Sequence, residues 1–274
     1  MMEEGAELSN AGTILAIANQ KGGVGKTTTA VNLSASLAVT EARVLLVDLD
    51  PQANATSGLG LERRGIDESV YAAMDGTRSV DSLITRSELP TLDVLPSGPD
   101  LYGIDMDLAE FDDRLLRLKH VLHGLRETYD WIIIDCPPSL SLLTLNALTA
   151  ADSVMIPMQC EYYALEGLSQ LMRTIELVRA STNPSLSIEG VVLTMFDGRN
   201  NLARQVMDDV KSHFGDRVFK SVIPRNVRLS EAPSFGKPVL LYDINSRGSQ
   251  GYLSLAQELV SRGDLDVHQG GLSE

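Results

Sequence analysis

Along this 274-residue chain, short runs of apolar and β-branched residues alternate with longer stretches in which apolar positions recur at helical spacing. The apolar runs predict six strands, at residues 13–18, 43–47, 92–95, 131–134, 153–157 and 188–194. Each run is nearly continuous in apolar residues, as strands covered on both faces are. The periodic stretches predict helices at 27–39, 112–128, 140–150, 164–180 and 202–214, with a last one near 250–261. This alternation predicts an α/β fold, a mostly parallel twisted β-sheet flanked by helices on both faces. Residues 60–90 break the rhythm, and short helices near 68–74 and 80–84 are the most the pattern supports there. No repeat and no Pro/Ser/Gly-rich linker interrupts the chain. The expected organisation is one domain over residues 13–262, between an acidic tail at 1–12 and a second tail at 263–274.

Composition changes this picture little, since 43% hydrophobic and 22% charged residues are ordinary for a globular protein. Cys136 and Cys160 read as reduced thiols, and His120, His123, His213 and His268 show no metal-ligand spacing with them. No apolar run reaches the roughly 18 residues needed to span a bilayer. The first ten residues carry Glu3, Glu4 and Glu7 and lack the layout of a signal peptide, so a cytoplasmic location is expected.

Charge does change the picture. The net charge of −14 argues against a nucleic-acid partner, but it is unevenly spread. Residues 199–247 hold nine Lys/Arg against five acids, a segment of +4 that leaves −18 for the remainder. A basic region on an acidic chain points to an anionic partner more than the total points away from one.

The chemistry gathers at strand ends. After the first strand come Lys21, Gly22, Gly23, Val24, Gly25, Lys26, Thr27 and Thr28, opening a helix. Glycines let the backbone turn its N–H groups onto phosphate oxygens, and the helix N-terminus adds its positive dipole end. In such a phosphate loop Lys26 bridges the β- and γ-phosphates and the Thr27 hydroxyl ligates magnesium, which implies ATP and Mg2+ as cofactors. The common form of the motif has glycine where this chain has Gln20, and Lys21 is an additional lysine. Lys21 reads either as a solvated surface charge or as a group reaching a phosphate held by a facing subunit.

The second strand ends in Val47-Asp48-Leu49-Asp50-Pro51-Gln52. Strand alternation sends Asp48 and Asp50 to the same side, where one would order magnesium-bound water or the loop and the other would orient an attacking water. An acidic turn with capping duties is the alternative. The fourth strand ends in Asp135, the position of a magnesium-side carboxylate, and Cys136-Pro137-Pro138-Ser139 then forms a stiff loop suited to sensing a γ-phosphate. A helix-capping role for Asp135 is the alternative there.

Taken together, KGGVGKTT (21–28), VDLDPQ (47–52) and IIIDCPPS (132–139) resemble the deviant Walker-A branch of the P-loop NTPases, and within it the ParA/Soj group of partitioning ATPases. The segments DPQANATS (50–57) and IPRNVRLSEAP (223–233) sharpen the resemblance, which runs from about Thr13 to Val260. It implies slow ATP hydrolysis by an ATP-bound sandwich homodimer, with Lys21 acting across the interface. It implies Asp50 as the residue positioning the hydrolytic water, with Thr27, Asp50 and Asp135 on the magnesium side. It further implies that Pro224 and Asn226 lie against the adenine and that Arg199 and Arg228 contact nonspecific double-stranded DNA. A ParB/Spo0J-type centromere-binding protein is the implied partner, releasing a nucleoid-associated dimer by stimulating hydrolysis. The twelve residues before the first strand leave no room for a helix-turn-helix domain, and the last twelve form no basic amphipathic helix, so neither sequence-specific DNA binding nor membrane binding is expected. The same site residues also suit a positioning ATPase for another cargo, such as a chemoreceptor array or a microcompartment. A metabolic P-loop ligase is a third reading, in which Lys21 and the basic segment have no task.

Overall fold

The computed structural model describes residues 11–62, 68–161 and 164–270, so the acidic tail expected at 1–12 lies almost wholly outside the described residues. The strands are β1 (Thr13–Ile17), β2 (Val44–Asp48), β3 (Thr85–Arg86), β4 (Leu92–Leu95), β5 (Trp131–Asp135), β6 (Ser153–Gln159) and β7 (Ser187–Thr194). They form one seven-stranded sheet in the order β3-β4-β2-β5-β1-β6-β7. All pairings are parallel except β3 with β4. Six strands are those expected; the two-residue edge strand β3 is additional, and a pairing that short leaves no apolar run to read.

The helices are α1 (Lys26–Ala38), α2 (Asn54–Gly58), α3 (Val70–Asp75), α4 (Ile104–Asp107), α5 (Arg117–His123), α6 (Leu142–Ala150), α7 (Ala164–Ser181), α8 (Asn201–Phe214), α9 (Val227–Glu231), α10 (Val239–Tyr242) and α11 (Arg247–Gly270). The helix expected over 112–128 is shorter, because α5 begins at Arg117 and gives way at Gly124 to a 3-10 turn, Gly124–Glu127. Glycine is a poor helix interior residue and 3-10 turns commonly end α-helices. The last helix, expected to stop near 261, continues to Gly270, beyond the point where its apolar period ends.

Alternation along the strands divides the core in two. Leu15, Ile17, Leu46, Val94, Ile133 and Val192 point to the face covered by α1, α10 and α11, where Leu33, Leu37, Val239, Tyr252 and Leu255 pack. Ile14, Ala16, Leu45, Ile132, Ile134 and Val191 point to the opposite face, under α3, α5, α6, α7 and α8. Burial on both faces is why these strands read as unbroken apolar runs.

The strand order positions the loops that carry the chemistry. β2, β5 and β1 are neighbours, and their register sets Asp48 opposite Asp135 and Asp135 opposite Ile17. Three carboxyl-end loops therefore leave the sheet at one level, the position where parallel sheets hold their ligands.

Candidate functional site

The loop between β1 and α1 is built by its own glycines. Gly23 (φ 76°) and Gly25 (φ 87°) take left-handed conformations that L-residues avoid, and Gly25 is the N-cap of α1. A Cβ at Gly22 or Gly23 would meet no other atom within 4 Å, so the turn borders open space and serves no internal packing. Fixed bonds hold it from behind. Asn19 donates through Nδ2 to the Pro157 carbonyl at 2.8 Å and accepts from the Lys21 amide at 3.0 Å. Thr194, at the end of β7, donates to the Val24 carbonyl at 2.7 Å. Thr28 lends its carbonyl to Asn32 Nδ2 at 2.7 Å, and Asn32 Oδ1 accepts from the Val239 amide at 2.7 Å, tying α1 to α10.

Lys26 is buried, with Nζ donating to the Lys21 carbonyl at 3.2 Å. Burial lowers its pKa below the ordinary lysine value, while Asp135, Cys136 and Asp50 work in the opposite direction. Lys21 extends to the surface and pairs with Glu161 at 2.6 Å.

Asp135 closes β5 with its carboxylate wholly buried, and neither oxygen has a hydrogen-bond partner. Burial first, then the neighbouring Asp48, raise its pKa well above the usual carboxylate range. The Thr27 hydroxyl and Lys26 ammonium offset this only in part, the hydroxyl falling short of a full hydrogen bond to either oxygen.

Asp48 contrasts with it. It too is wholly buried, but it accepts the Asp50 amide at 3.1 Å and both the amide and hydroxyl of Thr56 at 2.8 Å. Burial pushes its pKa up to about 6 against those three bonds. Three hydrogen bonds enclose Asp48, and of the two acids it is Asp50, two residues beyond β2 and itself buried, that lines the neighbouring cavity. Asp50 Oδ1 accepts the Gln52 amide at 2.9 Å, closing a tight turn over Pro51. Beside it lies a cavity of about 290 Å3 bordered by Gln52, Leu101, Tyr102, Pro137 and Pro138, with Gln52 Nε2 donating to the Tyr102 hydroxyl across the opening.

Of the residues expected at the base and at the DNA surface, Arg199 and Pro224 lie beyond the end of β7, and Arg228 lies on α9, against α10 and α11. Pro224 bridges to Phe196, just beyond Thr194, so the 223–226 segment borders the strand that supports the phosphate loop. Asn226 caps α9, its Oδ1 accepting the Arg228 amide at 2.8 Å. Arg199, 92% exposed in its side chain, pairs with Asp197 at 2.8 Å. Arg228 pairs with Glu231 at 2.8 Å and with Asp243 at 3.2 Å. The fold thus gathers Lys26, Thr27, Asp50 and Asp135 at one centre, with Lys21 at its rim and Arg199 and Arg228 on the surface. Sequence reasoning missed Asn19, Thr56, Ser97 and Thr194, all of which hold the site's loops.

Cys136 and Cys160 are free and buried, and among the described residues no three His, Cys, Asp or Glu side chains form a metal-binding group. Among the described residues no helix is long and apolar enough to cross a membrane.

Comparison with known proteins gives the family. The model of an AAA domain family matches residues 12–188. The chain is similar to the chromosome partitioning protein ParA of Myxococcus xanthus, 57% identical over 92% of this chain and 89% of that one. It is equally similar to the sporulation initiation inhibitor protein Soj of Bacillus subtilis, 57% identical over 92% of this chain and all of that one. Among solved structures it resembles a cobyrinic acid a,c-diamide synthase from Mycobacterium smegmatis with bound ATP analog and magnesium, 37% identical over 91% of this chain and 94% of that one, with a TM-score of 0.82. With likeness running along nearly the whole chain and the motif residues meeting at adjacent strand ends, the chain belongs to the ParA/Soj family of chromosome-partitioning ATPases.

Proposed function

We propose that this chain is an ATP-driven DNA-segregation switch. It takes ATP with Mg2+ at residues 21–28, pairs with a second copy, and binds DNA without sequence preference until hydrolysis separates the pair. The observation that carries the reading is Asp135, a wholly buried carboxylate with two unpaired oxygens at the level of Lys26 and Thr27, below a glycine turn that borders open space. Such a group fits a hydrated divalent cation brought in with phosphates. Magnesium keeps most of its waters and needs few protein ligands, which agrees with the absence of a three-residue cluster among the described residues.

In this reading the amides of Gly22, Gly23, Val24 and Gly25 receive the phosphates, Lys26 neutralises them, and Thr27 and Thr28 open the helix under them. Thr27, Asp135 and Asp50 would hold the magnesium side of the site. Bound magnesium would supply charge neutralisation at the phosphates. Asp50 orients the attacking water, since it lines the cavity while Asp48 is enclosed by three hydrogen bonds. Lys21 exchanges Glu161 for a phosphate of the facing copy; an exposed pair of this kind is worth at most about 1 kcal/mol, so the exchange costs little. Pro224 and Asn226 border the base. Hydrolysis is slow alone, and a ParB/Spo0J-type partner accelerates it. The dimer works on the nucleoid within the cytoplasm.

The test is binding to a random-sequence duplex with ATP, with ADP and without nucleotide, at several salt concentrations. ATP-dependent binding that weakens steeply with salt is expected. Binding in no state, with ATP-induced dimers still present, would replace the reading with a cargo-positioning ATPase that reads a protein surface. Two variants check the site itself. Lys26→Ala is expected to abolish ATP binding in a titration, and Asp50→Ala to retain ATP-bound dimers while losing turnover.

A further inference from the structure

The turn that carries Asp50 is held by a closed ring of buried hydrogen bonds. The Asp50 amide donates to Asp48 Oδ1 at 3.1 Å. The other oxygen of Asp48 accepts the Thr56 hydroxyl at 2.8 Å. The Thr56 hydroxyl oxygen accepts the Ser97 amide at 3.1 Å, and the Ser97 hydroxyl donates to the Asp50 carbonyl at 2.6 Å. The ring begins and ends on one residue, so both peptide groups flanking the Asp50 Cα are fixed. Asp48, Thr56 and Ser97 are each 0% exposed. They come from three places, β2, α2 and the loop after β4, so the turn is anchored to two adjacent strands of the sheet.

We propose that Thr56 and Ser97 are positioning residues for hydrolysis, acting through Asp50: with Asp48 they fix the backbone from which its carboxylate projects, and so fix where the attacking water is held. The proposal rests on the reading of Asp50 as the residue that orients that water.

The Ser97 hydroxyl is the informative member. The Asp50 carbonyl already accepts the Ala53 amide at 2.8 Å, so the turn has its hydrogen bond without Ser97. Burying a hydroxyl where an alanine would leave no group unpaired brings little net stability, because the bond only offsets desolvation. What the second bond adds is direction. It fixes the peptide plane after Asp50, and a catalytic group displaced by about 1 Å loses on the order of 100-fold in rate. Thr56 has a different standing, since its hydroxyl also satisfies the buried Ser97 amide.

The experiment uses the full chain with ATP, magnesium and duplex DNA, and compares Ser97→Ala, Thr56→Val and Thr56→Ser with the parent. Steady-state turnover, melting temperature and amide hydrogen exchange over residues 49–53 are measured for each. Ser97→Ala is expected to lower kcat about tenfold with KM for ATP and melting temperature nearly unchanged, and to speed exchange in the 49–53 turn. Thr56→Val is expected to do the same with some loss of stability, and Thr56→Ser, which restores the hydroxyl, to recover kcat. If Thr56→Val does not fold, Ser97→Ala decides alone. A parental kcat in Ser97→Ala overturns the proposal, as does a loss of kcat with raised KM or with exchange in the turn unchanged. Asp50→Ala separates this from failure of the underlying reading. Turnover surviving in Asp50→Ala removes the reading itself, whereas turnover lost there but parental in Ser97→Ala removes only the ring.

Discussion

Asp135 shows what the site costs the protein that carries it. A wholly buried carboxyl whose oxygens complete no hydrogen bond is a destabilising feature, and burial and Asp48 raise its pKa because the charged form is the one disfavoured. Such features persist where a ligand makes use of them. Asp135→Asn is therefore expected to lose the gain in ATP affinity that magnesium gives, read from ATP titrations with and without magnesium. Ala53 is a second local cost. It N-caps α2 at φ 52°, ψ 39°, left-handed backbone that an L-residue reaches at about 1–2 kcal/mol. Ala53→Gly is expected to stay within about 1 kcal/mol of the parent, while the β-branched Ala53→Val costs about 2 kcal/mol or more, both read from urea midpoints. At this scale the sequence was legible where a residue type and a strand end coincide: the glycine turn, Lys26, Asp50 and Asp135. It was not legible where support comes from a distance. Ser97 meets Asp50 across 47 residues and Thr194 meets Val24 across 170, and neither is marked by its neighbours in the chain.

At the scale of elements, the six longer strands were readable because burial on both faces makes each an uninterrupted apolar run. β3 has two residues and lies at the sheet edge, so no pattern could declare it. The helix ends were less readable than the helices, since Gly124 cuts α5 short while α11 continues through a polar stretch with no apolar period to mark it. One contact between elements carries a sharp expectation. Where α2 ends, Gly60 lies against Gly236 so closely that a Cβ on Gly236 would stand 2.6 Å from the Gly60 Cα, and Gly236 itself is left-handed at φ 63°. This crossing joins the segment after α2 to the 3-10 turn Ala232–Phe235 that follows α9. Gly236→Ala must push the crossing backbones away from each other, and is expected to cost about 2 kcal/mol or more in denaturation; a variant as stable as the parent would mean that this crossing yields freely.

At the scale of the whole molecule the question is how a chain of net charge −14 takes up DNA. The basic segment 199–247 is real in sequence, yet in the single chain its two arginines expected at DNA are already neutralised: Arg199 by Asp197, and Arg228 by Glu231 and Asp243. The arginine beside Asp197 pulls that carboxyl down to about 2, so it stays ionised at any working pH and the pairing is not relieved by mild acid. Exposed pairs of this kind contribute little to folding, which makes them cheap to exchange for phosphates, but each acid that stays nearby repels the DNA that replaces it. The acids therefore set the affinity as much as the arginines do. Arg228→Ala is expected to weaken duplex binding and to reduce the slope of log affinity against log salt by about 0.9, the signature of one lost phosphate contact. Glu231→Gln removes a competitor while leaving Arg228 in place and is expected to raise affinity a few-fold at low salt, with the gain fading as salt rises, because screening weakens repulsion between exposed charges. Both are read from the same titration at several salt concentrations in the presence of ATP. If Glu231→Gln binds no better than the parent while Arg228→Ala still binds worse, Glu231 holds the guanidinium in its binding pose instead of competing for it. If neither variant differs from the parent, the DNA surface lies elsewhere on the dimer.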